Sequence, residues 1–407
     1  MNIPQFLVNN INNCMKNLLF QMNKISPNNT IGITGTNGKT SVVWNVSNII
    51  HLLNRNVRSY GTLGYYNNLK KIENSILTTP EYEILYQKAF TNSKKNKYEF
   101  IFEVSSHSIS KKRINNFPIN IAALTNISQD HLDFHKTISN YRKIKFKLFL
   151  EHLKDNGIAV LNDKIKGITY LKKKLVKKNI KIITYGLRKS NIHSYKKDDK
   201  INIKIINKIY SLRSLDYKSF ELDNLSCSIG CCIGLGIIDK DIIKIIPKIQ
   251  EVKGRLQEIG KLNNGSRIIV DYAHTPDSLK NILISFTEKN KKPNLLFGCG
   301  GDRDKSKRKE MGFIANKFAA KVYITDDNPR NENPSAIRKS ILLKCFKGIE
   351  IPNRRKAIQI AINELDKGKI LIIAGKGHEN KQIFKNKAIN FNDAKIAKYY
   401  LNQRNRI

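Results

Sequence analysis

Two series of buried-strand patterns run along the chain, and helical patterns separate their members. Residues 39–53, KTSVVWNVSNIIHLL, place apolar side chains at near-helical spacing directly after the first strand pattern. Strand patterns alternating with helical stretches are typical of an α/β domain with a mostly parallel sheet. The strand patterns of this first series are TIGITG (30–35), EFIFEVSS (99–106), IAALTNI (121–127), GIAVLN (157–162) and KIITYG (181–186).

The second series follows KGRLQEIG and predicts a separate, smaller, doubly wound (Rossmann-like) domain. We therefore expect a residual N-terminal segment or linker over residues 1–30, a central domain over 31–253 and a C-terminal domain over 254–407. Residues 171–217 show weak periodicity and are interpreted as an elaborated edge of the central domain. The strand patterns of the second series are RIIVDYA (267–273), NLLFGCGG (294–301), KVYITDD (321–327) and KILIIAGKG (369–377).

Length and apolar content agree with this two-domain organisation, since 407 residues exceed one ordinary core. No apolar run approaches the roughly 20 residues of a membrane span, and the N-terminus lacks a signal-peptide pattern. We expect a cytoplasmic protein without a membrane partner. The six cysteines show no CxxC spacing and are interpreted as free, buried thiols: Cys14, Cys227, Cys231, Cys232, Cys299 and Cys345.

The charge is strongly basic, with 73 Lys and Arg against 33 Asp and Glu and a net charge of +40. Excess lysine accompanies excess isoleucine and asparagine, which share A/T-rich codons, and no nucleic-acid reader module is present. We therefore expect no nucleic-acid partner, although salt-sensitive DNA binding without turnover would favour a basic binder. The charge can help to attract anionic substrates.

The stretch IGITGTNGKTS ends in Gly38-Lys39-Thr40, as a phosphate-binding P-loop does, but Ile33 stands where a strict P-loop has glycine. A strand precedes the loop and a helix follows it, so free N–H groups and the helix dipole point toward a phosphate. Lys39 can reach the β- and γ-phosphate oxygens, and Thr40 can ligate Mg²⁺. A structural glycine turn is the alternative. The predicted ATP-binding loop is Gly35, Thr36, Asn37, Gly38, Lys39, Thr40 and Ser41.

Polar residues at the ends of two further strand patterns are candidates for metal chemistry. Glu103 ends a strand and suits Mg²⁺, which prefers oxygen ligands; a capping pair with His107 is the alternative. The segment TNISQDHLDFH contains two aspartates and two histidines within six residues. This density indicates a metal or phosphate site, or a polar loop.

Four loops of the second domain follow strands: DYAHTPDS, GCGGDRDKSKR, TDDNPR and AGKGHE. Because parallel strands end at the same sheet edge, we expect these loops to lie close together. Their glycine-rich, basic character indicates an anionic substrate.

These motifs together resemble the Mur ligases. GTNGKTS is similar to that family's P-loop variant TGTxGKT, which explains Ile33. TTPE, EVSSHSISKKRI, the DHLDFH segment, YRKIK, GRLQEI, VDYAHTPDSL and the three later loops are similar, in order, to the UDP-N-acetylmuramoyl-tripeptide synthetase branch. The likeness runs from about Ile31 to Glu379. It implies an ATP-dependent ligase of peptidoglycan synthesis.

The implied reaction joins meso-2,6-diaminopimelate to UDP-N-acetylmuramoyl-L-alanyl-D-glutamate through an acyl phosphate. ATP and Mg²⁺ are the implied cofactors, small molecules are the partners, and a monomer is expected. The resemblance assigns Lys39, Glu103, His131 and a carbamylated Lys145 to catalysis, with Thr40, Glu103, His131 and Lys145 at the metal. It adds four residues to the nucleotide site: Asn224, Arg255, Asp271 and His274.

The resemblance also assigns both substrate sites. The UDP-muramoyl dipeptide would contact Thr78, Thr79, Ser105, Lys111 and Arg113, although the family usually has glutamine at Lys111. Similarly, Glu221 replaces the first asparagine of the family motif that includes Asn224. The arginine of DNPR suits the distal carboxylate of diaminopimelate, for which the implied residues are Arg303, Asp327, Asn328, Pro329, Arg330, Gly375 and Glu379.

The family carries a uridine-binding domain of about 100 residues before the P-loop, and we expect this chain to lack it. Three consequences stay open: an active ligase with weaker substrate affinity, a ligase completed by a second chain, or a degenerate relative that binds ATP without catalysis. A folylpolyglutamate-synthetase-like ligase is the other enzyme alternative, and TTPE followed by DNPR argues against it.

Overall fold

The computed structural model describes residues 26–90, 97–213, 216–287 and 291–406, together with Cys14 and Leu18. The chain forms two compact units, the first from residues 1–127 and 139–250 and the second from residues 128–138 and 251–407. The segment predicted over residues 1–30 lies almost entirely outside the described residues. Residues 128–138, which include the DHLDFH motif, belong to the second unit.

The strands and helices are numbered along the chain. The strands are β1 (Thr30–Thr34), β2 (Val57–Gly61), β3 (Gly64–Asn67), β4 (Lys70–Glu73), β5 (Glu99–Val104), β6 (Ile119–Leu124), β7 (Leu153–Asn162), β8 (Lys181–Tyr185), β9 (Ile192–Lys197), β10 (Lys200–Ile205), β11 (Lys208–Arg213), β12 (Gln257–Lys261), β13 (Arg267–Asp271), β14 (Asn294–Phe297), β15 (Val322–Ile324), β16 (Gly348–Glu350), β17 (Ile370–Ala374), β18 (Lys381–Phe384) and β19 (Lys387–Asn390). The helices are α1 (Lys39–Leu52), α2 (Tyr82–Ala89), α3 (Ser106–Ser110), α4 (Leu132–His135), α5 (Ile138–Lys147), α6 (Ile168–Val176), α7 (Ser219–Gly234), α8 (Asp239–Ile245), α9 (Pro276–Ser285), α10 (Ser306–Phe318), α11 (Pro334–Leu342), α12 (Arg354–Asn363) and α13 (Asp393–Arg404).

The first unit is built on an 11-stranded sheet in the order β11-β10-β9-β8-β7-β6-β1-β5-β2-β3-β4. The strands from β8 to β2 pair in parallel, whereas β2-β3-β4 and β9-β10-β11 form antiparallel extensions at the two edges. Strand β1 lies between β5 and β6, where the strand order reverses. Ligands of open α/β sheets bind at the carboxyl end of such a switch point.

The central strands of this sheet are covered on both faces, which explains their uninterrupted apolar sequences. In β5, Phe100 and Phe102 pack into one cluster of buried residues, and Ile101 between them packs into the cluster on the opposite face. Helix α1 packs on that second face through Val42 and Val46. The alternation of side chains along a strand therefore supplies both cores from one apolar run.

The second unit contains a six-stranded sheet in the order β12-β13-β17-β14-β15-β16, antiparallel at β12 and parallel elsewhere. Helices α9, α10 and α11 cover one face, and α12 and α13 cover the other. The hairpin β18–β19 follows the main sheet.

Each strand pattern named above forms a strand, so the predicted α/β fold is confirmed. The weakly periodic region near residues 190–213 forms the antiparallel strands β9 to β11. The six cysteines are free, and all except Cys14 are buried. Within the described ranges, no helix is long and apolar enough to cross a membrane.

A buried ion pair joins the helices on the second face of the smaller sheet. Arg354, at the start of α12, donates from Nε and Nη2 to the two carboxylate oxygens of Asp393, over 2.8 and 2.7 Å. Both side chains are 0% exposed, and Nη2 also donates to the Ala374 carbonyl oxygen. This pair therefore connects α12, α13 and the carboxyl end of β17.

We predict that Asp393→Ala destabilises the second unit by about 3–5 kcal/mol, because it leaves the Arg354 charge buried without its partner. In thermal unfolding followed by circular dichroism, the transition should fall by roughly 10 °C. The double variant Arg354→Met/Asp393→Leu should lose much less, since no charge stays buried.

The matched control is Glu258→Ala, which breaks the partly exposed Arg267–Glu258 pair and should cost at most about 1 kcal/mol. If Asp393→Ala and Glu258→Ala lowered the free energy of unfolding equally, breaking the buried pair would carry no extra cost and the prediction would be wrong.

Candidate active site

The P-loop of the first unit connects β1 to α1 in a conformation that requires glycine. Gly38 precedes the first residue of α1 with φ +83°, in the left-handed region. A Cβ at Gly38 would overlap the Asn224 side chain, and a Cβ at Gly35 would overlap Thr125. The structure thus places Asn224, predicted from the family motif, directly against the loop.

Two residues after β6 hold this loop, and sequence reasoning did not identify them. Asn126 accepts from the Asn37 N–H at 2.9 Å and donates its amide to the Asn37 carbonyl oxygen at 3.1 Å. The Thr125 hydroxyl donates to the same carbonyl at 2.6 Å. The clue in the sequence was the polar pair TN at the end of the apolar run IAAL.

Two lysines approach the loop from different helices. Lys39 Nζ donates to the carbonyl oxygens of Gly35 and Thr36 at 2.9 and 2.8 Å. Lys145 Nζ, on α5, also donates to the Gly35 carbonyl at 2.8 Å and lies 4.6 Å from the centre of the Tyr141 ring. Lys145 is only 1% exposed, so it differs from the surface lysines of this chain.

Glu103 ends β5 beside the start of α1. Its Oε1 accepts from the Thr40 hydroxyl at 3.0 Å and from the Thr62 N–H at 2.7 Å, and the carboxylate is buried. Thr62, after β2, was not among the predicted residues. A threonine hydroxyl and a carboxylate side by side form a hard oxygen donor set, which suits Mg²⁺ when phosphates and water complete the shell.

The predicted dipeptide residues of the first unit, apart from Lys111, form one cluster. Thr79 Oγ1 donates to the Glu103 carbonyl at 2.8 Å and accepts from the Ser105 N–H at 2.9 Å, and Thr78 and Thr62 place their hydroxyls 3.3 Å apart. Arg113 forms an ion pair with Glu81 at 2.7 Å and donates to the Thr79 carbonyl.

Lys111 does not join this cluster. It is exposed just after the end of α3.

The residues predicted from DHLDFH and DYAHTP lie in the second unit. Asp130 is buried with Lys307 Nζ at 3.5 Å, His131 Nε2 at 3.4 Å and His274 Nε2 at 3.9 Å from its carboxylate. Burial opposes the charge of Asp130, but Lys307 and the two histidines hold its pKa well below the usual range. Burial and Lys307 lower the pKa of His274 to about 4, so this imidazole is neutral at pH 7.

The metal site predicted from the density of Asp130, His131, Asp133 and His135 is not formed by these four side chains. In the described part of the chain, no three His, Cys, Asp or Glu side chains converge as metal ligands. The reason is the turn of α4, on which His135 points inward and Asp133 is exposed. Lys307, which no sequence pattern singled out, is the main cationic partner of Asp130.

Asp271 ends β13, and both of its carboxylate oxygens accept main-chain N–H groups. The donors are Leu256 and Ala273, each at 2.7 Å. Burial raises the pKa of Asp271, and Arg255 opposes this shift. The Arg255 guanidinium lies 4.3 Å from the centre of the Tyr272 ring. Asp271 therefore fixes the turns around it, including the one that carries Arg255.

The DNPR loop and the GKGHE loop meet at the carboxyl edge of the second sheet. Asn328 Nδ2 donates to Glu379 Oε2 at 2.8 Å, and the Arg330 N–H donates to the Ile383 carbonyl of β18 at 3.0 Å. Gly375 lies where a Cβ would approach Asp327 Oδ2 to 2.8 Å. The predicted Asp327, Asn328, Pro329, Arg330, Gly375 and Glu379 thus lie on neighbouring loops.

The two arginines of this cluster differ in their surroundings. Arg330 is partly buried and donates from Nη1 to the Gly301 carbonyl at 2.8 Å, whereas Arg303 is exposed. Burial and the nearby Arg303 lower the pKa of the Arg330 guanidinium. Two close guanidinium groups, one of them partly buried, can pair with a carboxylate ligand.

Comparison with known proteins identifies one family over most of the chain. Residues 33–232 match the Mur ligase middle domain, and residues 254–377 match the Mur ligase glutamate ligase domain. The chain is 40% identical to a Rickettsia montanensis protein named UDP-N-acetylmuramoyl-L-alanyl-D-glutamate--2,6-diaminopimelate ligase, covering 91% of this chain and 79% of that protein.

Solved structures give the same result. A structure of UDP-N-acetylmuramoyl-L-alanyl-D-glutamate--2,6-diaminopimelate ligase is 28% identical and covers 96% of this chain and 81% of its own, with a TM-score of 0.64. MurF ligase from Thermotoga maritima in complex with ADP shares the fold at 17% identity, covering 100% of this chain and 86% of that chain, with a TM-score of 0.68. This chain belongs to the Mur ligase family.

Proposed function

We propose that the protein is an ATP-dependent amide ligase that adds meso-2,6-diaminopimelate to UDP-N-acetylmuramoyl-L-alanyl-D-glutamate. The observation that carries the choice of amino acid is the meeting of Arg330, Asn328 and Glu379 at one sheet edge. An arginine beside a carboxylate matches a ligand end that carries both a carboxylate and an ammonium group. The relative that is 40% identical has the name of this ligase.

The nucleotide site of the proposal is the P-loop. The main-chain N–H groups at the start of α1 and the Lys39 ammonium bind the ATP phosphates. Lys39 exchanges its bonds to the Gly35 and Thr36 carbonyls for phosphate oxygens. A MurF ligase of this fold was solved in complex with ADP, which agrees with an adenine nucleotide as ligand.

The proposed metal residues are Thr40 and Glu103, with His131 and a carbamylated Lys145 as further members. Mg²⁺ supplies charge neutralisation for the phosphates when it is bound. The fit rests on the Thr40 hydroxyl and Glu103 carboxylate, which lie 3.0 Å apart at the end of β5. Thr62 orients this carboxylate through its N–H group.

The reaction proceeds in two steps. A carboxylate oxygen of the dipeptide attacks the γ-phosphorus, ADP leaves, and an acyl phosphate forms. The amine of diaminopimelate then attacks the carbonyl carbon, phosphate leaves, and the amine loses a proton to give the amide. The protein contributes by aligning the reactants and by stabilising negative charge with Lys39 and the N–H groups of the loop.

The dipeptide site of the proposal comprises Thr78, Thr79, Ser105 and Arg113. The structure supports this because Thr79 connects Ser105 with the end of β5, immediately beside Glu103. Lys111 is exposed, so it contributes at most a positive charge to substrate binding. Arg303, Asp327 and Gly375 complete the amino-acid site, and Arg255, Asp271, His274 and Asn224 complete the nucleotide site.

We predict that phosphate release from ATP, with the UDP-muramoyl dipeptide present, requires meso-diaminopimelate. L-lysine lacks the distal carboxylate that Arg330 binds, so kcat/KM with lysine should be lower by at least 100-fold. Coupled phosphate release, with mass spectrometry of the product, measures both reactions. Turnover with lysine equal to that with diaminopimelate would refute the choice of amino acid.

We predict that Lys145→Ala loses at least 100-fold in kcat, while Lys143→Ala, on the exposed side of the same helix, keeps its activity. Lys145 acts either as a carbamate or as an ammonium, and chemical rescue of Lys145→Ala distinguishes these two states. A carbamate is an anion, so formate or acetate should restore part of the turnover of Lys145→Ala. If Lys145 instead acts as the ammonium that donates to the Gly35 carbonyl, methylamine or ethylamine should restore the turnover of Lys145→Ala. Rescue by amines alone would refute carbamylation.

A further inference from the structure

A buried lysine supports the amino-acid site. Lys376, between Gly375 and Gly377 of the GKGHE loop, is 0% exposed. Its ammonium donates to Asn328 Oδ1 at 2.9 Å, to Glu379 Oε2 at 2.8 Å and to the Lys381 carbonyl oxygen at 2.8 Å. An ammonium has three protons, so these acceptors satisfy it completely.

Lys376 fixes the orientation of the Asn328 side chain. An ammonium can only donate, and therefore the atom of Asn328 that it contacts must be the amide oxygen. The same oxygen accepts from the Ile383 N–H at 3.0 Å. The amide nitrogen is then directed to Glu379 Oε2, at 2.8 Å.

Lys376 and Asn328 both contact the same carboxylate oxygen of Glu379, and the other oxygen is left for a ligand. Oε2 accepts from both Lys376 and Asn328. Over the described ranges, Oε1 makes no hydrogen bond, and the Glu379 side chain is 30% exposed. The carboxylate can bind a ligand ammonium through Oε1, but most of its negative charge is already offset by a buried cation.

Guanidinium groups lie near Glu379 in addition to the Lys376 ammonium. Arg330 lies close to Arg303 as well as to the carboxylates of Asp327 and Glu379. Arg354 and Asp393 neutralise each other in their buried pair. A ligand whose distal end is only an ammonium therefore meets a carboxylate already compensated by Lys376, beside the Arg330 guanidinium, whereas a ligand that also carries a distal carboxylate can pair with Arg330.

We propose that Lys376 is a specificity-determining residue: by compensating Glu379, it makes the site reject amino acids that present a distal ammonium without a distal carboxylate. This rests on the proposed function, because it assigns to one residue the discrimination between diaminopimelate and lysine. Lys376 acts through Glu379 and Asn328 and is a positioning residue. A purely structural lysine would instead affect all amino-acid substrates alike.

The wild-type enzyme tests the compensation of Glu379 with three substrates: meso-diaminopimelate, L-lysine and L-2-aminopimelate, which keeps the distal carboxylate but lacks the distal ammonium. We expect kcat/KM, relative to its value with diaminopimelate, to be at least tenfold lower for lysine than for 2-aminopimelate. A larger loss for 2-aminopimelate would overturn the proposal. Absence of turnover even with diaminopimelate would instead refute the proposed function.

The variant Lys376→Met removes the charge and keeps the length of the side chain. We expect the ratio of kcat/KM for diaminopimelate to kcat/KM for lysine to fall at least tenfold, with KM for ATP unchanged. Lys385→Met removes an exposed charge from the nearby hairpin turn and should leave the ratio unchanged. An unchanged ratio in Lys376→Met, or an equal change in Lys385→Met, would overturn the proposal.

A double-mutant cycle separates positioning from folding. In the Glu379→Gln background, Lys376→Met should change the substrate ratio by less than threefold, since no carboxylate is left to compensate. If Lys376→Met changes the substrate ratio in the Glu379→Gln background as much as in the wild-type enzyme, Lys376 does not act through Glu379. Thermal unfolding of each variant establishes that it is folded, and Lys376→Gln, which also removes the charge, replaces Lys376→Met in both comparisons if Lys376→Met is not.

Discussion

The parallel pairing of β1 with β5 on one side and β6 on the other is the constraint on which the first unit depends. Its register places Ile33 beside Glu103 and beside Ala123, so the three strands end at almost the same level. The P-loop, Glu103 and the Thr125-Asn126 pair must then meet at one edge. Buried main-chain groups cannot stay without partners, and a shift of register would also turn each apolar side chain to the wrong face.

Glycine and polar side chains complete this edge. The loop can approach Asn224 and Thr125 closely only because Gly38 and Gly35 have no Cβ. Asn126 then holds the loop by two hydrogen bonds that a free P-loop peptide would lack. The conformation of the loop is therefore organised in advance by the protein.

Burial sets three lysines apart from the many others of this very basic chain. Among the described residues, three lysines are buried: Lys145, Lys307 and Lys376. Each has a specific partner, namely the Gly35 carbonyl, the Asp130 carboxylate, and the Asn328–Glu379 pair. Desolvation makes an unpaired ammonium costly inside a protein, so a buried lysine indicates a defined electrostatic task. The exposed lysines carry no comparable information.

The sequence by itself determined the α/β class and the strand, glycine loop and helix of the P-loop, and it predicted two domains and a set of site residues, because apolar runs and short glycine-rich motifs are local signals. It did not predict β2 to β4 or the hairpin β18–β19, whose short and largely polar strands, such as KKIE and KAIN, are specified by pairing. Only the tertiary structure separated Lys376 from its surface neighbours and showed Lys307 as the partner of Asp130. Those roles arise from burial and from contacts between distant segments, which no local pattern encodes.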